Sequence, residues 1–366
     1  MMNPTSTLFS ANYAQARAKF LAACTLAGLS PQSHVHPLRG PAGEVLATDV
    51  VRVGPARARR VLVLTSGVHG VELFAGSGCQ IDWLLSHTAT ALPADTAVVL
   101  VHAINPWGAA WLRRYTEDNI DLCRNYVDYP QMPLLPAAPD YAQLHSAIAL
   151  PDATPAALAA AEAEMEAFEK ARGHQALYAG LMGGQYEYAS GMGYGGTEPT
   201  WSRRTMEAIL QQHAGQAQHV CTVDYHTGLG PYSYGSMVAL QMPGPGLERM
   251  RAAFGEWVEA VFEHGAPENF APVYGHSTPG YERALPQAQV TAGVLEFGTG
   301  KPGEMLKLLV QDQRDWAAGR GHDALTPARE AVLRFFYPDD ARWQQALADQ
   351  SRQIIASGLR FLAASD

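Results

Sequence analysis

The run RVLVLT, Arg60–Thr65, passes directly into SGVHGVE, Ser66–Glu72. Its first half is continuously apolar, as in a strand buried on both faces of an α/β sheet. The following Leu73–Leu85 reads as a helix, and TAVVLVH, Thr96–His102, as a second buried strand that ends in the turn Asn105-Pro106-Trp107-Gly108. A buried strand, a helix and another buried strand predict a three-layer α/β/α fold around a mostly parallel or mixed sheet.

Working outward, SANYAQARAKFLAACTLAG, residues 10–28, predicts an amphipathic helix stopped by Gly28, and Glu44–Val53 a strand. Pro130–Pro139 is a proline-rich loop, and Thr154–Arg172 a surface helix with Thr154 as its N-cap and Pro155 in its first turn. The Gly- and Tyr-rich stretch Tyr178–Thr197 fits either a binding loop or an irregular connection. Strands resume at His219–Tyr225, Ser236–Gln241 and Gln289–Phe297, with helices over Leu247–Glu263 and through most of Pro302–Ala364. No repeat or linker divides the chain, so residues 1–366 are expected to form one domain, with about 130–200 as an excursion of loop and helix over the site.

The chain has 366 residues, 47% hydrophobic and 17% charged, with a formal net charge of −9 and no Lys/Arg cluster. Nucleic acid and anionic membrane surfaces both require a concentrated basic face, so neither is an expected partner. Neither a secretory leader nor an apolar run of about 18 residues is visible. The four cysteines, Cys24, Cys79, Cys123 and Cys221, lie far apart without a CxxC pair, so they are expected to be reduced. A cytoplasmic location follows as the expectation, while the oligomeric state is open.

His69 and Glu72 flank a tight strand-to-helix turn, which can aim an imidazole and a carboxylate at one point. Zinc accepts both donors, and a catalytic zinc site takes three protein ligands with one position open. HxxE pairs also arise by chance, so a third ligand is required. His226, in Asp224-Tyr225-His226-Thr227-Gly228, follows another strand, at the end where open α/β sheets hold ligands. Glu296, after Val294-Leu295, is either a salt-bridged structural carboxylate or a general base. The stretch Arg113–Asn125 places arginines on both sides of an acidic segment. It is either a solvated charged loop or a pair of guanidinium groups that polarise a carbonyl and clamp a carboxylate.

Together HGVE, INPWG, DLCRN, GQY (Gly184–Tyr186), DYHTGLGPY and EFGT resemble the carboxypeptidase A-like zinc metallopeptidases. The likeness is stronger to a bacterial branch of largely unknown function near the aspartoacylase and succinylglutamate desuccinylase group. It spans about Tyr13 to about Phe336. The resemblance implies one zinc ion per chain on His69, Glu72 and His226, with Glu296 as general base. It further implies Arg114 as the group that polarises the scissile carbonyl, with Arg113 the next choice, and Arg124 and Asn125 near the substrate carboxylate. Asp121 would orient His69. Where the family pattern usually has DLNRN, this chain has Cys123, a poor hydrogen-bond donor at a substrate-binding position. Tyr274 and Tyr281 both lie where the family's mobile tyrosine belongs.

The expected function is zinc-dependent hydrolysis of an amide bond in a small carboxylate-bearing substrate, possible substrates being peptides or other small molecules. Deacylation of N-acyl amino acids uses the same groups. A zinc-binding protein without activity needs neither Glu296 nor Arg114. No GxSxG elbow supports a serine hydrolase; in Gly275-His276-Ser277-Thr278-Pro279 a proline stands where the second glycine belongs.

Overall fold

The computed structural model describes residues 7–86, 92–130, 137–263 and 273–365. Its strands are β1 (Gln32–Arg39), β2 (Val45–Val53), β3 (Arg60–Ser66), β4 (Thr96–His102), β5 (His219–Tyr232), β6 (Gly235–Ala239), β7 (Val258–Ala260) and β8 (Gln289–Gly298). They form one sheet in the order β1-β2-β4-β3-β5-β8-β6-β7. The centre, β4-β3-β5-β8, is parallel; β2 joins β4, and β6 joins β8, antiparallel, so the sheet is mixed.

The apolar run at Arg60 occupies the middle because both its faces are covered. Leu62 and Leu64 pack with Phe20, Trp83, Phe254, Trp343 and Ile354, from the helices Tyr13–Leu26, Leu73–Ser86, Pro245–Phe254 and Ala341–Ala363. Val61 and Val63 face the other way, against Met206, Ile209 and Tyr281 of the helices Trp201–Ala214 and Ser277–Ala284. This is the α/β/α layering. Each such buried aliphatic side chain contributes roughly 1.5–3 kcal/mol.

Several local expectations hold. The first helix is capped by Asn12 rather than beginning at Ser10, and Thr154 Oγ1 accepts from the N–H of Ala157 at the start of Pro155–Arg172. Other expectations need correction. Leu247–Glu263 is not one helix: it ends at Phe254, where Gly255 takes φ 58°, and the chain continues through a single turn into β7. The exposed edge strand β1 was not expected; it carries Pro37, which an edge tolerates. β5 continues past Tyr225 to Tyr232. Gly- and Tyr-rich Tyr178–Thr197 begins within the helix His174–Met182. Of the proline-rich stretch, residues 131–136 lie outside the described residues.

The helices Pro139–Ile148, Pro155–Arg172 and His174–Met182 share an apolar cluster with Pro302–Ala317 and Pro327–Phe336. This packing brings Tyr178 and Met182 to the cleft described below. Among the described residues no helix is long and apolar enough to cross a membrane. All four cysteines are buried and unbridged.

Candidate metal centre

The site forms at the C-terminal ends of the parallel strands. After β3 the chain turns through Gly67, at φ 74°, and His69 is extended before the single helical turn Gly70–Glu72. This turn lies against the one that follows β4. A Cβ on Gly70 would stand 2.1 Å from the Gly108 carbonyl carbon, so the two backbones meet where no side chain fits. Asn105 locks the second turn: its Oδ1 accepts from Gly108 N–H and its Nδ2 donates to Tyr115 O. The N–H groups of Gly70 and Val71 donate to the carbonyls of Arg114 and Arg113. HGVE and INPWG thereby fix each other, and with them the arginine segment.

His226 lies within β5, directly beside Glu296 of β8 in the parallel register. Three donor groups converge. His69 Nδ1 is 2.9 Å from Glu72 Oε1, His226 Nδ1 is 3.2 Å from Glu72 Oε2, and the two Nδ1 atoms are 3.2 Å apart. The opposite nitrogens face carboxylates: His69 Nε2 is 3.3 Å from Asp121 Oδ1, and His226 Nε2 is 3.2 Å from Asp224 Oδ2. Carboxylates behind both rings leave the Nδ1 atoms as the inward donors, the arrangement a zinc-binding histidine requires. Two imidazole nitrogens and a carboxylate at this spacing fit zinc.

The electrostatics agree with a cation site. Burial raises the Glu72 carboxyl, but His69 and His226 outweigh it and hold it well below the usual range. Burial and Arg114 push His69 down, yet the surrounding anionic groups, Glu72 foremost, lift it to about 10. His226 is lifted well above its ordinary value, against burial, by Asp224 and Glu72. The buried carboxylates Glu72, Asp121 and Asp224 thus make this point one that favours positive charge. Glu296 shifts the other way: burial, then the Glu72 charge, raises its carboxyl to about 7. Its Oε1 accepts from Leu229 N–H at 2.9 Å, and the side chain is partly open to the cleft.

Arg114 Nη1 donates to Glu72 Oε1 at 2.9 Å, and its Nε is 3.5 Å from Asp121 Oδ2. Asp121 also caps the short helix Leu122–Asn125 by accepting from Cys123 N–H. Arg124 lines the cleft with its guanidinium tied to the carbonyls of Cys123 and Met182, while its buried Nε has no partner. Burial pushes the Cys123 thiol up, but His276 and His69 outweigh this and hold it well below the usual thiol range.

Two expected substrate contacts are displaced. Arg113 is fully buried and points to the helix Pro302–Ala317, donating to Asp312 Oδ2 at 3.0 Å and stacking 4.2 Å from the Trp316 ring. Asn125 is equally buried. Its Nδ2 donates to the carbonyls of Gly195 and Glu198, and its Oδ1 accepts from Thr200 N–H, so it clamps a loop. Neither lines the cleft. Of the two tyrosines, Tyr281 is buried edge-on to Tyr126, whereas Tyr274 is 48% exposed.

The cleft has a volume of about 160 Å³ and is lined by His69, His226, Arg114 and Glu296 together with Val238, Leu240, Val261 and Val294. Asp224, His276 and Tyr178 were not singled out from the sequence. Asp224 was legible in principle, because residues i and i+2 of a strand share a face. His276 and Tyr178 carry no local signal.

The metallo-carboxypeptidase of Pseudomonas aeruginosa, solved with (2-guanidinoethylmercapto)succinic acid, is similar at 14% identity and a TM-score of 0.43, covering 94% of this chain and 70% of its own. The metallo-carboxypeptidase of Burkholderia cenocepacia is similar at 12% and 0.39, covering 87% and 68%. The succinylglutamate desuccinylase/aspartoacylase of Rhodobacter sphaeroides is similar at 18% and 0.36, covering 78% and 65%. No curated protein sequence matches. A family model described as a protein of unknown function, DUF2817, matches residues 9–350, and the chain belongs to that family.

Proposed function

We propose that this protein is a zinc-dependent hydrolase of an amide bond in a small substrate that carries a carboxylate. The observation that carries the reading is the placement of Glu296 beside His226 in the strand register, with His69, Glu72 and His226 converging on one point. His69, Glu72 and His226 would hold the zinc. When bound, the metal supplies a Lewis acid that polarises a carbonyl and makes water a nucleophile near neutral pH. Glu296, with its carboxyl near 7, is suited to take a proton from the attacking water and return it to the leaving amine. Arg114 presents a permanent positive charge at the wall of the cleft, where negative charge develops on the carbonyl oxygen. Arg124 lines the cleft, where its guanidinium would meet the substrate carboxylate.

Deacylation of N-acyl amino acids is the second reading. It is motivated by Cys123, which stands where the resembled carboxypeptidase pattern has an asparagine donor to the substrate. The zinc-loaded protein is tested on dipeptides and on N-acyl amino acids, with metal analysis of His69→Ala, Glu72→Ala and His226→Ala. Release of a free amino acid from one class alone selects between the readings. Stoichiometric zinc in any of the three variants removes that residue from the site, and an inert parent with full zinc defeats the hydrolase reading.

A further inference from the structure

Cys123 is 1% exposed, and its sulfur, one ring nitrogen of His69 and one of His226 all lie within 4.8 Å of one another. Where the resemblance expects an asparagine, this chain presents a sulfur. We infer that Cys123 is a metal ligand, its thiolate taking the fourth position that His69, Glu72 and His226 leave open. This rests on the metal reading above and adds a donor to it.

Zinc bonds of about 2.0–2.1 Å to nitrogen and about 2.3 Å to sulfur separate the donors of a tetrahedral site by roughly 3.3–3.8 Å. The donors on His69, Glu72 and His226 already stand 2.9–3.2 Å apart in the contacts that join them. Measured against the two histidine nitrogens, even at the full 4.8 Å the sulfur has on the order of 1 Å to travel, within reach of a χ1 adjustment. Its backbone is fixed by the carboxylate that orients His69, since Asp121 Oδ1 accepts from Cys123 N–H at 2.9 Å. An asparagine amide is a weak, hard donor, whereas a thiolate is among the strongest ligands for zinc. Binding would form one metal–sulfur bond, the sulfur entering as a thiolate. The resting site would then be closed by four protein donors, and a water or substrate oxygen would have to displace the sulfur. Cys123 in this role holds the enzyme in a low-activity resting state and is shielded by the metal from thiol reagents.

The test is cobalt(II) titration of the full-length, chelator-stripped protein under reducing conditions, for the parent, Cys123→Ser and Cys123→Asn. The expected parent spectrum contains a near-ultraviolet thiolate-to-cobalt charge-transfer band. Both variants should lose that band and keep the visible bands of the bound ion. A second readout needs no variant: iodoacetamide labelling of Cys123, followed by peptide mass analysis, should slow at least about tenfold when cobalt or zinc is added. One bound cobalt without the band overturns the inference and leaves the His69–Glu72–His226 site standing. A band that persists in Cys123→Ser overturns it as well. Absence of cobalt binding by the parent overturns both this inference and the metal reading beneath it.

Discussion

Replacing Glu296 by glutamine should abolish hydrolysis and stabilise the metal-free protein above neutral pH. The amide is nearly isosteric, and its oxygen can still accept from Leu229 N–H, so the local structure is retained. The Glu296 carboxyl rises from 4.5 to about 7, through burial and then the Glu72 charge. A carboxyl raised on folding contributes stability that is complete below about 4.5 and is lost as pH rises through about 7, because the unfolded chain ionises first. The shift of about 2.5 pH units, at ~1.36 kcal/mol each, sets an upper limit of about 3 kcal/mol, which water in the cleft reduces by screening. Glutamine has no proton to lose. Urea unfolding of chelator-treated protein should therefore give equal stabilities for parent and variant near pH 4.5, and a variant up to about 3 kcal/mol more stable at pH 8. With zinc restored, hydrolysis should fall by ~10²-fold or more, as for loss of a general base. A variant less stable than the parent at pH 8 refutes the electrostatic argument. Hydrolysis near the parent rate refutes the role of Glu296.

Arg113→Ala breaks a buried ion pair with Asp312 and should cost about 3–5 kcal/mol in urea unfolding while KM stays near the parent value; a raised KM with unchanged stability would return Arg113 to the substrate. Arg114→Lys supplies a charge without the planar fork that reaches both Glu72 and Asp121, so kcat should drop ~10²–10³-fold with little change in KM. Steady-state kinetics decide, and a change confined to KM counts against carbonyl stabilisation. Arg124→Ala should lower kcat/KM about 10–100-fold for a free-acid substrate and far less for its amide. Equal losses on both would make Arg124 structural.

The strands around the site were legible because apolar runs such as RVLVLT and QVTAGVLEF can be buried only in a covered sheet, with conspicuous polar residues in them or shortly after them. His69 and Glu72 follow β3, whereas His226 and Glu296 lie within β5 and β8, paired side by side. Helix starts at Thr154 and Pro155 were equally local, since a cap and its first turn lie within a few residues. The Leu247–Glu263 reading failed at Gly255, where a left-handed backbone angle ends the helix and lets β7 form. Composition alone does not show which glycine takes such an angle.

Tertiary structure decided which of two neighbouring arginines faces the cleft. Arg113 and Arg114 are chemically identical in sequence, but Asp312 lies 199 positions away from Arg113 and draws it into the helix layer, leaving Arg114 to Glu72 and Asp121. Asn125 was likewise taken by the Gly195–Thr200 backbone, a partner that no local pattern announces. By itself the sequence determined the α/β class and offered candidate metal donors, because burial and donor chemistry belong to each residue and its near neighbours. The parallel pairing of β5 with β8 decided that Glu296 stands beside His226, because register is set by which apolar faces pack together across the whole chain.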